Sequence, residues 1–411
     1  MRTEIIATGT ELLSGGVLDT NSLFLAEEMI GIGIEAAFKT VVGDNEKDME
    51  ETIRRALGRA DVVIITGGIG PTEDDITRKV IAKILKRRLV LNEEALKAIH
   101  ARLAGRDALH AMANDRQALL PSGVRMLVNP VGIAPGFTFE EDGKFIAVLP
   151  GVPREMEAMF SEGLRHMLEE RFGGRFFIRR KILRTVGMSE SAVNQALQDI
   201  LKREPRVAGL TAKEIGVDIR IVVREASAER SQSSIDQIEK NVRELLGDTV
   251  YGIDGQEMEE VVGALLAQRR QKLAIAESCT GGLVSARITD IAGSSEYFMC
   301  GAVAYSNDAK TSMLGVPKEL IAQHGAVSPE VAAAMAQGIR QAAGADIGLS
   351  LTGIAGPGGG SEGKPVGLVY FGLATAQGVK AGERRFLGTR AQIRLKASQV
   401  ALDMVRRHLI G

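Results

Sequence analysis

The chain has 411 residues, enough for two or three domains with sizeable cores. Charged residues make up 25% and balance to a formal net charge of −1, which excludes a general electrostatic pull towards nucleic acid or membrane. Trp is absent and there are two cysteines, too few for a disulfide framework or a zinc quartet, which predicts reduced thiols in a cytoplasmic protein.

The opening "MRTEIIATGTELL" carries charges at Arg2 and Glu4 and does not read as a secretory signal. No apolar run reaches the roughly 20 residues of a bilayer span. "EIIATG", "DVVIITGG" and "FIAVLPG" predict buried strands that end in glycine loops, with helical spacing between them. Their alternation predicts a doubly wound α/β domain over residues 1–172, built on a parallel sheet. Ligands in such sheets sit beyond the carboxyl ends of the strands. Residues 173–253 predict a small α+β connector. It has a strand in "RFFIRRKILRTVG", a helix over 189–204 capped by Ser189, and an alternating strand with Val217, Ile219, Ile221 and Val223 on one face. A polar loop "EASAERSQSS" then leads to an amphipathic helix through Ile235, Ile238, Val242 and Leu245. Residues 254–411 return to α/β character. "KLAIAESCTGG" and "DIGLSLTGIAGPGGG" are again strand then glycine loop, and Ser328 and Pro329 open a helix. Ile393, Ala397, Val400 and Met404 mark the buried stripe of the closing helix.

In "TGGIGPTEDDITRK", Gly67, Gly68 and Gly70 let peptide N–H groups approach an anion closely. A helix is expected to start near Thr72 and to offer its N-terminus to phosphate. Asp74 and Asp75 are candidate ligands of a divalent cation bridging that phosphate. The plainer alternative is that Thr72 is a cap and the acids complement the helix dipole. Gly9, Glu11 and Asn21 end a neighbouring strand and join this candidate site. In the last block Ser278, Thr280, Gly281 and Gly282 have the same layout, and Thr352 and Gly353 end the next strand. Arg390 and Arg394, four apart on one helix face, are candidates for a phosphate. The histidines, His100, His110, His166, His324 and His408, show no metal-motif spacing, and Cys279 reads as a core or loop thiol.

The motifs "GTELLSG", "DTN", "TGGIGPTEDDITR", "LPGVPREM", "AESCTGG", "YSNDAK", "AVSPEV", "TGIAGPGGG" and "KPVGLVYFGLA" together resemble the CinA family over essentially the whole chain. The resemblance implies a molybdopterin-binding-like first domain, a KH-like connector and a nicotinamide-nucleotide amidohydrolase as the last domain. It implies that the last domain deamidates nicotinamide mononucleotide to nicotinic acid mononucleotide and ammonia without a cofactor. It implies that the first hydrolyses ADP-ribose to AMP and ribose 5-phosphate with a divalent metal ion (Mg, Mn or Co), in a homodimer. It implies Ser295 as nucleophile with Tyr305 and Lys310 as partners; Ser278 is the rival nucleophile. The chemistry is sound on its own terms. A serine hydroxyl is a poor nucleophile until a neighbour takes its proton, and a lysine can do so when burial or nearby positive charge makes it neutral. A substrate pyridinium would add such a charge, and backbone N–H groups of the "GSS" turn would serve the oxyanion. The connector lacks the Gly-X-X-Gly clamp of an RNA-binding KH module, which argues against a nucleic-acid partner; its basic stretch reads as a solvated strand face. The other function class is a non-catalytic adaptor or molybdopterin-type binding protein linked to competence or DNA repair.

Overall fold

Apolar runs with no polar alternation demand burial on both faces, and that is what positions the first sheet. The computed structural model describes residues 1–104, 114–173, 176–203 and 207–411; His110 lies outside them. Strands β1 (Thr3–Thr8), β2 (Ala36–Val42), β3 (Val62–Thr66), β6 (Arg125–Leu127), β7 (Gly136–Glu141) and β8 (Lys144–Leu149) form one sheet in the order β2-β1-β3-β8-β7-β6. A separate ribbon pairs β4 (Leu89–Leu91) with β5 (Leu119–Pro121). In the main sheet successive side chains part to opposite faces. Ile6, Val63, Ile65 and Val148 meet helices Glu46–Arg59 and Thr77–Ile84, whereas Ile5, Ile64, Ala147 and Leu149 meet helix Thr20–Gly31 and the helical run from Pro153 to Phe172.

The expected all-parallel sheet is corrected to a mixed one. The pairs β1/β2, β1/β3 and β3/β8 are parallel, but β7/β8 and β6/β7 are antiparallel. The cause is local. Asp142 and Gly143 both take positive φ (49° and 75°), the geometry of a tight two-residue hairpin.

In the connector, β9 (Phe177–Thr185), β10 (Val207–Lys213), β11 (Gly216–Glu225) and β12 (Val250–Ile253) form a sheet in the order β10-β11-β9-β12. Val217, Ile219, Ile221 and Val223 are all buried, as their alternation requires. The helix capped by Ser189 is broken at Leu197 into Glu190–Ala196 and Gln198–Arg203. The expected polar loop is mostly helix, since Ala228–Leu246 begins early; Ser231 fits there because its hydroxyl bonds back to the Ala228 carbonyl. In the basic strand Lys181 pairs with Asp236 and Glu239, and Arg184 with Asp218 and with Glu257 just beyond the connector.

The last sheet comprises β13 (Leu273–Glu277), β14 (Phe298–Val303), β15 (Ile347–Gly353), β16 (Leu368–Thr375) and β17 (Gly378–Arg385), in the order β14-β13-β15-β16-β17. It too is mixed: β13 runs parallel to β14 and β15, while β16 and β17 are antiparallel additions. Leu273 and Ile275 face helices Met258–Arg269 and Arg390–Ile410; Ala274 and Ala276 face helix Pro329–Ala343. The three parallel strands therefore end on one edge, and the loops there carry the candidate chemistry. Compact packing divides the described residues into two units, Met1–Arg179 with Val223–Ser233 and Arg180–Val222 with Ser234–Gly411. Among the described residues no helix is long and apolar enough to cross a membrane.

Candidate active site

Lys310 is the most deeply buried lysine of this edge, 1% exposed. It lies on helix Asn307–Leu314, which Ser306 caps through the Ala309 N–H. Side chains of a helix slant towards its N-terminus, so the Lys310 amine reaches back over the first turn. There Nζ lies 2.9 Å from the Ala304 carbonyl and 3.0 Å from Ser278 Oγ. Ser278 follows β13, and its N–H donates to the Leu351 carbonyl of β15. Burial lowers the pKa of Lys310 below the ordinary lysine value. A buried amine with a depressed pKa against a serine hydroxyl is the arrangement that a base–nucleophile pair requires.

Ser295 does not join it, which corrects the expected grouping. It lies exposed in a short turn of 3-10 helix just before β14, whereas Lys310 follows β14. Phe298 pairs with Leu273 and Val303 with Glu277, so the two ends of β14 stand four residue steps of β13 apart, about 13 Å at 3.3 Å per residue. Tyr305 is on the correct edge but exposed, and its hydroxyl accepts from Arg390 at 3.1 Å. Arg390 also donates to the Gly356 carbonyl. Arg394 gives Nε and Nη2 to the Thr280 carbonyl (3.2 and 2.6 Å), so it braces the serine turn. Thr352 is buried and donates to the Ala326 carbonyl, with Gly353 half-buried beside it at the end of β15.

The anion-binding layout expected at Ser278, Thr280, Gly281 and Gly282 is also corrected. The N-terminus of helix Leu283–Thr289 is already filled by the Glu277 carboxylate. It accepts from the N–H groups of Gly282, Val284 and Ser285 and from the Ser285 hydroxyl, at 2.7–3.1 Å.

In the first domain a cleft of about 620 Å³ opens where β1, β3 and β8 end. Gly9, Glu11, Gly67, Gly68, Gly70, Thr72, Asp74 and Asp75 line it, as do Asp44 and Glu155. Gly67 has φ +108°, and a Cβ there would meet the Thr8 carbonyl oxygen at 2.5 Å, so only glycine fits. The helix expected at Thr72 starts at Thr77, whose N–H is taken by the Gly68 carbonyl. Thr72 instead gives its N–H and hydroxyl to Asp75 (2.8 and 2.5 Å). Asn21 does not line the cleft. It is buried and ties Thr66 to the Gly151 carbonyl, holding two strand ends in place.

Three known domain families match in succession. Residues 4–170 match the probable molybdopterin binding domain, 180–252 the damage-inducible protein CinA KH domain, and 255–409 the CinA C-terminal domain. A competence-damage inducible protein of Caldicellulosiruptor bescii is 43% identical over 412 residues, covering all of both chains. Its counterpart in Moorella thermoacetica is 45% identical, covering all of this chain and 99% of the other. The chain belongs to the CinA family. Among solved structures, the competence/damage inducible protein CihA from Agrobacterium tumefaciens is 40% identical over 38% of this chain and 94% of its own, with a TM-score of 0.37.

Two residues of this CinA protein escaped the motif reading. Glu277 is the last residue of the buried strand β13. The signal was an acid closing the apolar run "LAIA", a position where burial needs hydrogen-bond donors. Arg78 is 6% exposed and donates to the carbonyls of Ile69 and Gly70, holding the glycine loop from beneath. Burial brings its pKa down to about 10, against the pull of Asp75. Cys279, beside the serine, is pushed up to about 11 by burial. It is therefore a thiol at neutral pH, and thiols alkylate through the thiolate. Cys279→Ala is expected to leave turnover within about twofold. Peptide mapping after iodoacetamide at pH 8 is expected to find Cys279 unmodified in the folded protein.

Proposed function

We propose that the C-terminal domain hydrolyses the carboxamide of nicotinamide mononucleotide, with Ser278 as nucleophile and Lys310 as base. The observation that carries this reading is the buried 3.0 Å contact between Lys310 Nζ and Ser278 Oγ. Neutral Lys310 takes the hydroxyl proton as Oγ bonds to the amide carbon. The resulting ammonium returns a proton to the amide nitrogen, and ammonia leaves. Water then attacks the ester by the same proton route and frees the carboxylate. Arg390, on the exposed rim, supplies positive charge for the substrate phosphate.

A second activity is supported by the first domain's cleft, which has the size of a nucleotide site. We read it as hydrolysing ADP-ribose to AMP and ribose 5-phosphate. Its lining among the described residues is acidic and carries no lysine or arginine, so a pyrophosphate there needs a cation. The described residues form no cluster of three metal-ligating side chains. Hard divalent ions that use one or two carboxylates plus substrate phosphates fit this donor set, and Asp74 and Asp75 would hold such an ion. The ion would neutralise charge on the phosphates. Purified protein is expected to release ammonia from nicotinamide mononucleotide equally with and without chelator, and to release AMP from ADP-ribose only without it. Absence of ammonia from the folded protein would remove the amidase reading. AMP release that survives chelation would remove the metal.

A further inference from the structure

We infer that Glu277 is the positioning residue of the serine turn; this rests on the amidase reading. Glu277 is 0% exposed. A buried carboxylate is costly unless its lone pairs are met, and here four donors meet them. Three are the orphan N–H groups of a helix start, the groups that would otherwise receive an anion.

The same residue reaches both reacting partners. Its backbone carbonyl accepts from Ala304 N–H at 2.8 Å, and the Ala304 carbonyl in turn accepts from Lys310 Nζ. Its carboxylate fixes Gly282 to Ser285, the far side of the turn that begins at Ser278. Gly281 and Gly282 have φ of +58° and +92°, so the chain curls back sharply between these anchors. Arg394 holds the Thr280 carbonyl in the middle. Ser278 thus sits on a loop whose N–H groups are gathered by one residue and whose carbonyl is held by another. An error of about 1 Å in such a placement costs on the order of a hundredfold in rate.

Glu277→Gln keeps the shape but sets an amide N–H₂ against backbone donors. With nicotinamide mononucleotide as substrate and ammonia as readout, it is expected to lower kcat about tenfold or more with KM within about twofold of wild type. Ser285→Ala, which removes one of the four bonds, is expected to lower kcat about threefold. A purely structural role would lower Tm and leave kcat of the folded variant unchanged, and that result would overturn the proposal. So would a rise in KM at constant kcat, which would assign this helix end to substrate binding. A fluorophosphonate probe gives a readout that does not depend on the amide. Labelling of Ser278 is expected to slow by about tenfold in Glu277→Gln. Normal labelling of wild type without ammonia release would sink the amidase reading and leave the positioning role standing. Equal labelling of both proteins would sink the positioning role. If Glu277→Gln does not fold, Ser285→Ala decides: labelling at the wild-type rate overturns the inference.

Discussion

Ser278→Ala is expected to abolish ammonia release from nicotinamide mononucleotide, by a factor of about a thousand or more, while Ser295→Ala leaves kcat/KM within about twofold. The size of the first effect follows from the chemistry. Without Oγ there is no covalent intermediate, and the residual rate comes only from binding and orientation. The second follows from placement, since Ser295 is exposed and separated from the buried amine by the length of β14. The comparison is clean because neither substitution empties a core. In Ser278→Ala the amine of Lys310 keeps the Ala304 carbonyl as a partner, so the fold is expected to survive. Steady-state ammonia assays on both variants, with melting curves beside them, check the prediction. Loss confined to Ser295→Ala would move the nucleophile to the opposite edge of the sheet and would mean that this edge does other work.

Why the two serines were hard to tell apart in the sequence is a matter of strand direction. Ser295, Tyr305 and Lys310 fall within one short stretch, and nearness in sequence invites a cluster. The stretch contains a whole strand, however, and a strand carries its two ends to opposite edges of the sheet. Ser278 is 32 residues from Lys310, and the two meet because β13 and β14 run parallel and end level, Glu277 opposite Val303, so both loops follow carboxyl ends. Parallel direction was legible from the alternation of strands and helices. The antiparallel additions were less so, although "EEDGKF" carried a hairpin signal in its Asp-Gly pair. The capped starts at Ser189 and Ser328 were legible because an N-cap is local chemistry. The helix placed at Thr72 was not, because Asp75 turns back on Thr72 and delays the helix to Thr77. The roles of Glu277, Arg78 and Arg394 rest on contacts with backbone groups, which no residue pattern announces.

Lys310 also ties activity and stability to pH, with signs that can be worked out. Its pKa is lowered by burial from the ordinary 10.5, so the folded protein gives up this proton at a lower pH than the unfolded chain does. The base must be neutral to accept the serine proton. Activity is therefore expected to rise with pH along a limb set by Lys310, lying below 10.5, and then to level off. Lys310→Arg should be inactive at every pH, because a guanidinium stays charged. For stability, the unfolded chain binds more protons than the folded one between the depressed value and 10.5. The contribution of Lys310 to unfolding free energy thus rises with pH across that window, and its burial costs most below it. Lys310→Met removes the titration while keeping the bulk. The difference in Tm, variant minus wild type, is expected to be largest near neutral pH and to shrink as pH approaches 10.5. A difference that grows with pH, or an activity limb at or above 10.5, would mean that Lys310 is held as the ammonium and does not act as the base. A cationic substrate ring beside the amine would depress its pKa further. The limb in kcat, which reports the bound complex, should then lie below the limb in kcat/KM, which reports the free enzyme.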